Sequence, residues 1–349
     1  MKIWATAVAV VAALVAGSIA GAERRPGRAV GAESAAFRAV GSEPVRVGVI
    51  LNYLDDPFFV AMYEGVRAEA RRLGVRITVR SVTSNAELGD QAAQLRALVA
   101  ADNDCYVINP ITATNLVGAL RGVDEPIVNI DSPVEPAAAR RAGVRIRTYI
   151  GTDDLVSGRL AGERMAALLP DGGDVALVGG IADNVNSGVR LEGFERGIRG
   201  TRVRVVARVN ADYNRTKAQI AAERILRAHP RLAGFFAVSD SMVLGIADTL
   251  RGAGDSGEVK VIGHDGTVAA LDQIRAGSIS ADVSQYPYVM GQMAIEACVA
   301  AARGATVPAR VDAPIALLTK ANSARALAAF PRPFERYSDP FEGLLREGG

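Results

Sequence analysis

The chain reads as an α/β protein built from two doubly wound parallel-sheet lobes. Three observations carry that reading. Short apolar runs of strand length alternate with longer segments whose apolar residues recur at helical spacing. This alternation runs through two successive rounds, one on each side of about residue 152. And strand after strand has a polar residue just past its carboxyl end, where open parallel sheets bind ligands. Alternating strands and helices require a parallel sheet covered by helices on both faces.

The opening unit sets the pattern. Residues 47–51 are a continuous apolar run, followed by a short polar turn and then Pro57. Proline suits a first helical position, because its missing N–H would be unpaired there anyway. Phe58, Val60, Met62, Val66, Ala70 and Leu73 then follow helical spacing. In the rest of the first round, strands are expected at 75–79, 106–108, 127–130 and 144–150, with helices at 86–101 and 112–120. The second round predicts helices over 153–169, 188–198, 214–228, 242–250, 267–274 and 287–302. Its strands fall at 175–178, 203–208, 234–238, 259–262, 278–283 and 313–318. Asp240 is placed to cap the helix that follows it. Beyond Lys320, with Pro331, Pro333 and Pro340, periodicity fades and a surface-packed or loose tail is expected.

Composition narrows the function. The 349 residues suffice for two domains, and 49% hydrophobic content supports substantial cores. Net charge is +2 with both signs interspersed, so no basic patch points to nucleic acid. Cys105 and Cys298 are the only cysteines and read as buried thiols rather than a disulfide. Residues 1–22 have the form of a secretory signal: Lys2, an apolar core over 8–15, and the small-residue site Ala20-Gly21-Ala22. Residues 23–43 read as a flexible leader, and later segments are too short or interrupted to span a membrane.

Catalytic signatures are absent from the sequence. There are two histidines, His229 and His264, and no HExxH, phosphate-loop lysine, GxSxG or His/Cys metal cluster. Asp131 and Asp265 could be imagined as an acid/base pair for glycoside hydrolysis, but carboxylates that accept sugar hydroxyls serve binding equally well. The residues that stand out are Asn52, Asn109, Asp131, Ser239, Asp265 and Gln285 at strand ends, and Asp56, Phe58 and Phe59 in the first turn. Hydrogen-bonding groups beside aromatic rings suit a small polyhydroxylated ligand with an apolar face. Phe58 and Phe59 equally suit core positions at a helix start.

At this point the sequence resembles the periplasmic sugar-binding proteins of the ribose-binding group, type I solute-binding proteins of ABC importers. Their fold is shared by the effector domains of lactose-repressor-like regulators. The resemblance rests on Asp55-Asp56-Pro57-Phe58-Phe59, Ile108-Asn109-Pro110, Ile130-Asp131, Val189-Arg190-Leu191-Glu192-Gly193-Phe194, Asp212-Tyr213-Asn214-Arg215, Ser239-Asp240, Gly263-His264-Asp265-Gly266 and Ser284-Gln285, in that order. It implies that Asn52 and Asp56 meet the ligand, that Phe58 and Tyr213 sandwich the sugar ring, and that Phe59 adds to the wall. Asn109, Asp131, Arg190, Asp265 and Gln285 would hydrogen-bond hydroxyls. Where ribose binders carry a second arginine and an asparagine, this chain has Ser132 and Ser239. Asp56 replaces asparagine, Asn52 replaces serine, and His264 replaces an aromatic; His264 is assigned no role.

The resemblance also implies a hinge of three crossovers. Lobes of 44–152 plus 286–311 and 153–285 plus 312–320 are expected, followed by a tail over 321–349. Function then reads as an exported, periplasmic, monomeric solute-binding protein without cofactor or metal, feeding an ABC permease. Three aspartates, Asp56, Asp131 and Asp265, against Arg190 alone favour a neutral sugar, polyol or cyclitol over an anion. Rival readings are a receptor that presents its liganded form to a chemoreceptor or sensor kinase, and a regulator of the same fold. The regulator would need a DNA-reading helix-turn-helix before the first lobe, where the signal and leader stand instead.

Overall fold

The computed structural model describes residues 43–347 except Asp183 and Ser256. The expected signal and leader therefore lie outside the described residues, apart from Glu43. The first round folds as β1 (Arg46–Tyr53), α1 (Pro57–Leu73), β2 (Arg76–Val82), α2 (Leu88–Val99), β3 (Cys105–Ile108), β4 (Ile127–Ile130), α3 (Pro136–Arg141) and β5 (Ile146–Gly151). The second is α4 (Asp154–Leu168), β6 (Gly173–Gly179), α5 (Val185–Gly197), β7 (Val203–Asn210), α6 (Arg215–Ala228), β8 (Leu232–Ala237), α7 (Asp240–Ala253), β9 (Lys260–Asp265), α8 (Val268–Ala276) and β10 (Ala281–Gln285). The chain ends with α9 (Pro287–Ala302), β11 (Arg310–Asp312), β12 (Ile315–Leu318), α10 (Ser323–Ala329) and α11 (Glu342–Glu347).

Two six-stranded sheets result, ordered β11-β5-β4-β3-β1-β2 and β12-β10-β9-β8-β6-β7. The strand pairs are parallel except β10–β12, which is antiparallel. The chain passes between sheets three times: after β5, after β10, and between β11 and β12. Each sheet has its own core. Val47, Val49 and Leu51 of β1 are fully buried with Met62, Val66 and α9, while Leu177, Phe235, Phe236 and Ile262 centre the second lobe. Helices α1 and α9 touch backbone to backbone. A Cβ on Gly65 would collide with the Tyr288 carbonyl, and one on Gly291 with that of Met62.

Three expectations are corrected and one alternative is decided. Cys105 and Cys298 form a disulfide, because α9 lies across β3 and brings their Cα atoms to 5.7 Å. Only a short 3₁₀ turn, Val117–Leu120, forms where a helix over 112–120 was expected. Polar side chains take the backbone groups there: Ile111 N donates to Gln91 Oε1 at 3.1 Å and Thr112 N to Asn115 Oδ1 at 3.1 Å. Of the two forms expected for the tail, surface-packed and loose, the packed one is found: α10 packs on α8, and Phe341 reaches further, fully buried in the first-lobe core. Asp240 begins α7 rather than capping it, and its carboxylate accepts from Thr267 N at 2.7 Å. Beyond these, α3 and β11 had no counterpart in the expected elements.

Candidate ligand-binding site

The carboxyl ends of both sheets face one cleft. Its cavity holds about 540 Å³ of empty space, mouth included. Asn52, Asp56, Phe58, Phe59, Asp131, Ser132, Arg190, Tyr213, Ser239, Asp265 and Gln285 all line it. Asn109 does not: it is fully buried behind the wall, its Nδ2 pointing to Met62 Sδ at 3.5 Å. Arg190 stands inside α5 rather than at its start, one turn and more from the Asn184 cap.

Two aspartates end strands on opposite sides of the cleft, and both have unusual backbones. Asp131 follows β4 with φ 57°, and Asp265 ends β9 with φ 133°. Side chains rarely adopt these conformations, and such strain collects at functional positions. The turn at Asp131 is held through its carbonyl, which accepts from Tyr149 OH at 2.6 Å and from Asn186 Nδ2 at 3.2 Å. Its carboxylate is less well supplied: Ser132 Oγ donates to Oδ2 at 3.4 Å, and the Asn109 side chain, though buried and not lining the cavity, lowers its pKa slightly by hydrogen bonding. Asp265 is better supplied, by Gln285 Nε2 at 2.8 Å and Asp240 N at 3.1 Å.

The charge count changes with Asp154, which sequence reasoning missed. Its Oδ1 accepts from Arg190 Nε at 2.6 Å, with both side chains buried. Arg190 also donates to the Val238 carbonyl at 3.0 Å. Burial opposes the guanidinium charge, but Asp154 and then Tyr213, Asp265 and Asp131 hold its pKa above the usual value. Arg190 is thus already paired before it meets the other aspartates. Burial pushes the Asp131 carboxyl up to about 7, with Arg190 opposing and Asp154 and Asp265 adding to the rise. Burial likewise pushes Asp265 up to about 6 against the pull of Arg190. Asp56 is raised by burial and by Asp265.

Aromatic groups cover the apolar sides. Phe58 and Phe59 meet edge to face at 5.2 Å, and Phe59 meets Tyr53 at 5.3 Å. Tyr213 has φ 59° and donates its hydroxyl to Asn184 Oδ1 at 2.8 Å. Tyr53, Asn85, Ile111, Ile181, Asn184 and Asn186 complete the lining. Asn184 and Asn186 lie at the start of α5, five and seven residues past the end of β6, too far for the strand-end rule to mark them. Asn85, Tyr53 and Ile111 carry no such signal.

Among the described residues, three hydrogen bonds cross between the lobes over the cavity: Asn186 to Asp131, Ser241 Oγ to Asp56 Oδ2 at 3.1 Å, and Asn85 Nδ2 to the Asp212 carbonyl at 3.3 Å. Asp56 therefore has two tasks already, since its Oδ1 also caps α1 through Phe58 N at 2.9 Å.

Two sheets joined by three crossovers, with a polar, aromatic-walled cavity between their carboxyl ends, define a two-lobed solute-binding protein. The family model described as a periplasmic binding protein domain matches residues 47–306, and the chain belongs to that family. It is 28% identical over 277 residues to the ribose import binding protein RbsB of Bacillus subtilis, covering 78% of this chain and 87% of that one. It is 28% identical over 269 residues to the D-allose-binding periplasmic protein of Escherichia coli, covering 74% and 85%. Among solved structures it resembles a carbohydrate transporter solute-binding protein from Agrobacterium radiobacter in complex with D-arabinose. That likeness has a TM-score of 0.76 at 25% identity and covers 84% of this chain and 100% of that one.

Proposed function

We propose that this protein is exported and captures a neutral sugar, sugar alcohol or cyclitol between its lobes. It would deliver that ligand, with no covalent step, to the membrane permease of an ABC importer. The observation that carries the reading is the pairing of Asp131 and Asp265. They face one cavity from opposite sheets, and their carboxylates keep acceptor capacity that ligand hydroxyls would fill. Hydrogen bonds to ionised groups contribute about 1.5–3 kcal/mol each. The aromatic groups Phe58, Phe59 and Tyr213 suit the C–H faces of a ring. An anionic ligand would bring charge beside carboxylates whose one neighbouring cation is already paired with Asp154, at a cost of several kcal/mol. The sugars bound by the relatives support the ligand class, and the buried disulfide supports an oxidising compartment outside the cytoplasm.

Ribose itself is not expected to be the best ligand. Ser132 and Ser239 are shorter than the arginine and asparagine of ribose binders and leave room for a larger ring or a hydroxymethyl group. The test is thermal shift and calorimetry with pentoses, hexoses, linear polyols, inositols, sugar acids and sugar phosphates. A ligand at 100 times its Kd adds about 2.7 kcal/mol of stability. A neutral compound other than ribose should rank first; a sugar acid or phosphate in that place would overturn the charge argument.

A further inference from the structure

Behind the cavity a chain of buried side chains runs from the ligand wall to the hinge. Gln285 Nε2 donates to Asp265 Oδ1 at 2.8 Å and approaches His264 Nδ1 at 3.2 Å. Its Oε1 accepts from Thr152 Oγ1 at 2.7 Å. His264 Nε2 lies 2.9 Å from Ser157 Oγ, which in turn donates to the Asp154 carbonyl at 3.1 Å. Each of these four side chains is at least 97% shielded from solvent, with Thr152 and Gln285 3% and 2% exposed and Ser157 and His264 0%.

With Asp265 ionised, one assignment of donors and acceptors satisfies the network, although His264 Nδ1 also lies 3.5 Å from Asp265 Oδ1. Asp265 requires a donor from Gln285, so Nε2 faces it and the other N–H of the same amide points to His264 Nδ1. His264 Nδ1 is then an acceptor, its proton sits on Nε2, and Nε2 donates to Ser157. Flipping the amide would set its oxygen against the Asp265 carboxylate. Burial, and then Arg190, keep the ring neutral, as this assignment needs. Both amide protons of Gln285 are therefore engaged within the protein, and its carbonyl accepts the Thr152 hydroxyl.

Position gives the network its meaning. Thr152 lies in the first crossover between the sheets, directly after β5, and Gln285 is the last residue before the second, at the end of β10. We propose that Thr152, His264 and Gln285 form a hinge clasp that positions Asp265, so that Gln285 acts on the ligand through Asp265 rather than by contacting it. The inference rests on the reading of Asp265 as a ligand contact, and ties that contact to two of the three strands on which the lobes turn.

The experiment is a pair of double-mutant cycles on the full chain, titrated with D-allose or with whichever neutral sugar of the panel above binds more tightly. Thr152→Val should weaken binding roughly threefold to tenfold, the worth of one buried hydrogen bond. Thr152→Ser, which keeps the hydroxyl, should stay within about twofold of wild type on the same basis. Gln285→Met, similar in shape but without the amide, should also weaken binding. In an Asp265→Ala background, which removes the acceptor, most of both losses should vanish, because residues joined in one network are not additive. Losses that multiply independently of Asp265→Ala would overturn the clasp, as would a serine variant that behaves like valine. If Thr152→Val does not fold, the Gln285→Met cycle decides alone. If Asp265→Ala binds as wild type, Asp265 is not a ligand contact and both readings fall. If it binds weakly but the cycles are additive, only the clasp falls.

Discussion

Asp131 and Asp265 show how far single residues could be read. Each was visible as a polar residue ending an apolar run, and each lines the cavity. Asp154 was not, because a residue at a helix start reads as an ordinary N-terminal acid; only the fold brings Arg190 to 2.6 Å from it. Asp131→Ala and Asp265→Ala should each lower affinity at least about tenfold, the loss of one charge-assisted hydrogen bond, without unfolding the protein. Near-wild-type calorimetric affinity for both would remove them from the site. Their titration gives a signed prediction. Both carboxyls, at about 7 and about 6, sit above the ordinary 3.8. A raised carboxyl binds more protons folded than unfolded, so its stabilising contribution is full below the ordinary value and lost as pH rises through the folded one. The empty protein should lose stability between about pH 4 and about pH 7 from these groups, and Asp131→Asn should lessen the loss. Ligand hydroxyls donate to the ionised form, so affinity should rise over the same interval. Melting curves with and without sugar at both pH values check both signs.

At the scale of elements, strands and long helices were legible because their periodicity is local. The expected helix over 287–302 matches α9 residue for residue. What local pattern could not show is which element lies against which. Cys105 and Cys298 are 193 residues apart, and only the passage of α9 over β3 puts them in range of a bond. The cross-link closes a long loop, and removing it by Cys105→Ala with Cys298→Ala should cost about 2–4 kcal/mol. Urea melts of that variant and of reduced wild type should agree; unchanged midpoints in both would show the bond contributes nothing. The same limit applies to the tail. Phe341 lies in a segment without period, yet it is fully buried against the first lobe.

For the whole molecule, Ser241 to Asp56 and Asn85 to Asp212 join the lobes across the mouth of the cleft. Ligand binding should draw the lobes together, a hinge motion about the three crossovers. Small-angle scattering should record a smaller radius of gyration with sugar than without. Ser241→Ala removes one such bond and should weaken affinity roughly fivefold, mainly through faster release, since one hydrogen bond contributes about 1 kcal/mol. An unchanged radius on saturation would count against closure, and an unchanged affinity against this contact.

The sequence determined the class of fold and the two rounds of strand and helix, and with the resemblance it named eleven of the seventeen side chains that line the cleft. Strand ends point one way in a parallel sheet, so a polar residue just past an apolar run marks the binding edge wherever the sheet is placed. The tertiary structure alone decided which of those groups are free. It withdrew Asn109 behind the wall, paired Arg190 with Asp154, engaged both amide protons of Gln285, and joined Cys105 to Cys298. Hydrogen bonds and cross-links depend on distances of a few ångströms between residues far apart in the chain, and those distances exist only once both sheets and their helices are packed.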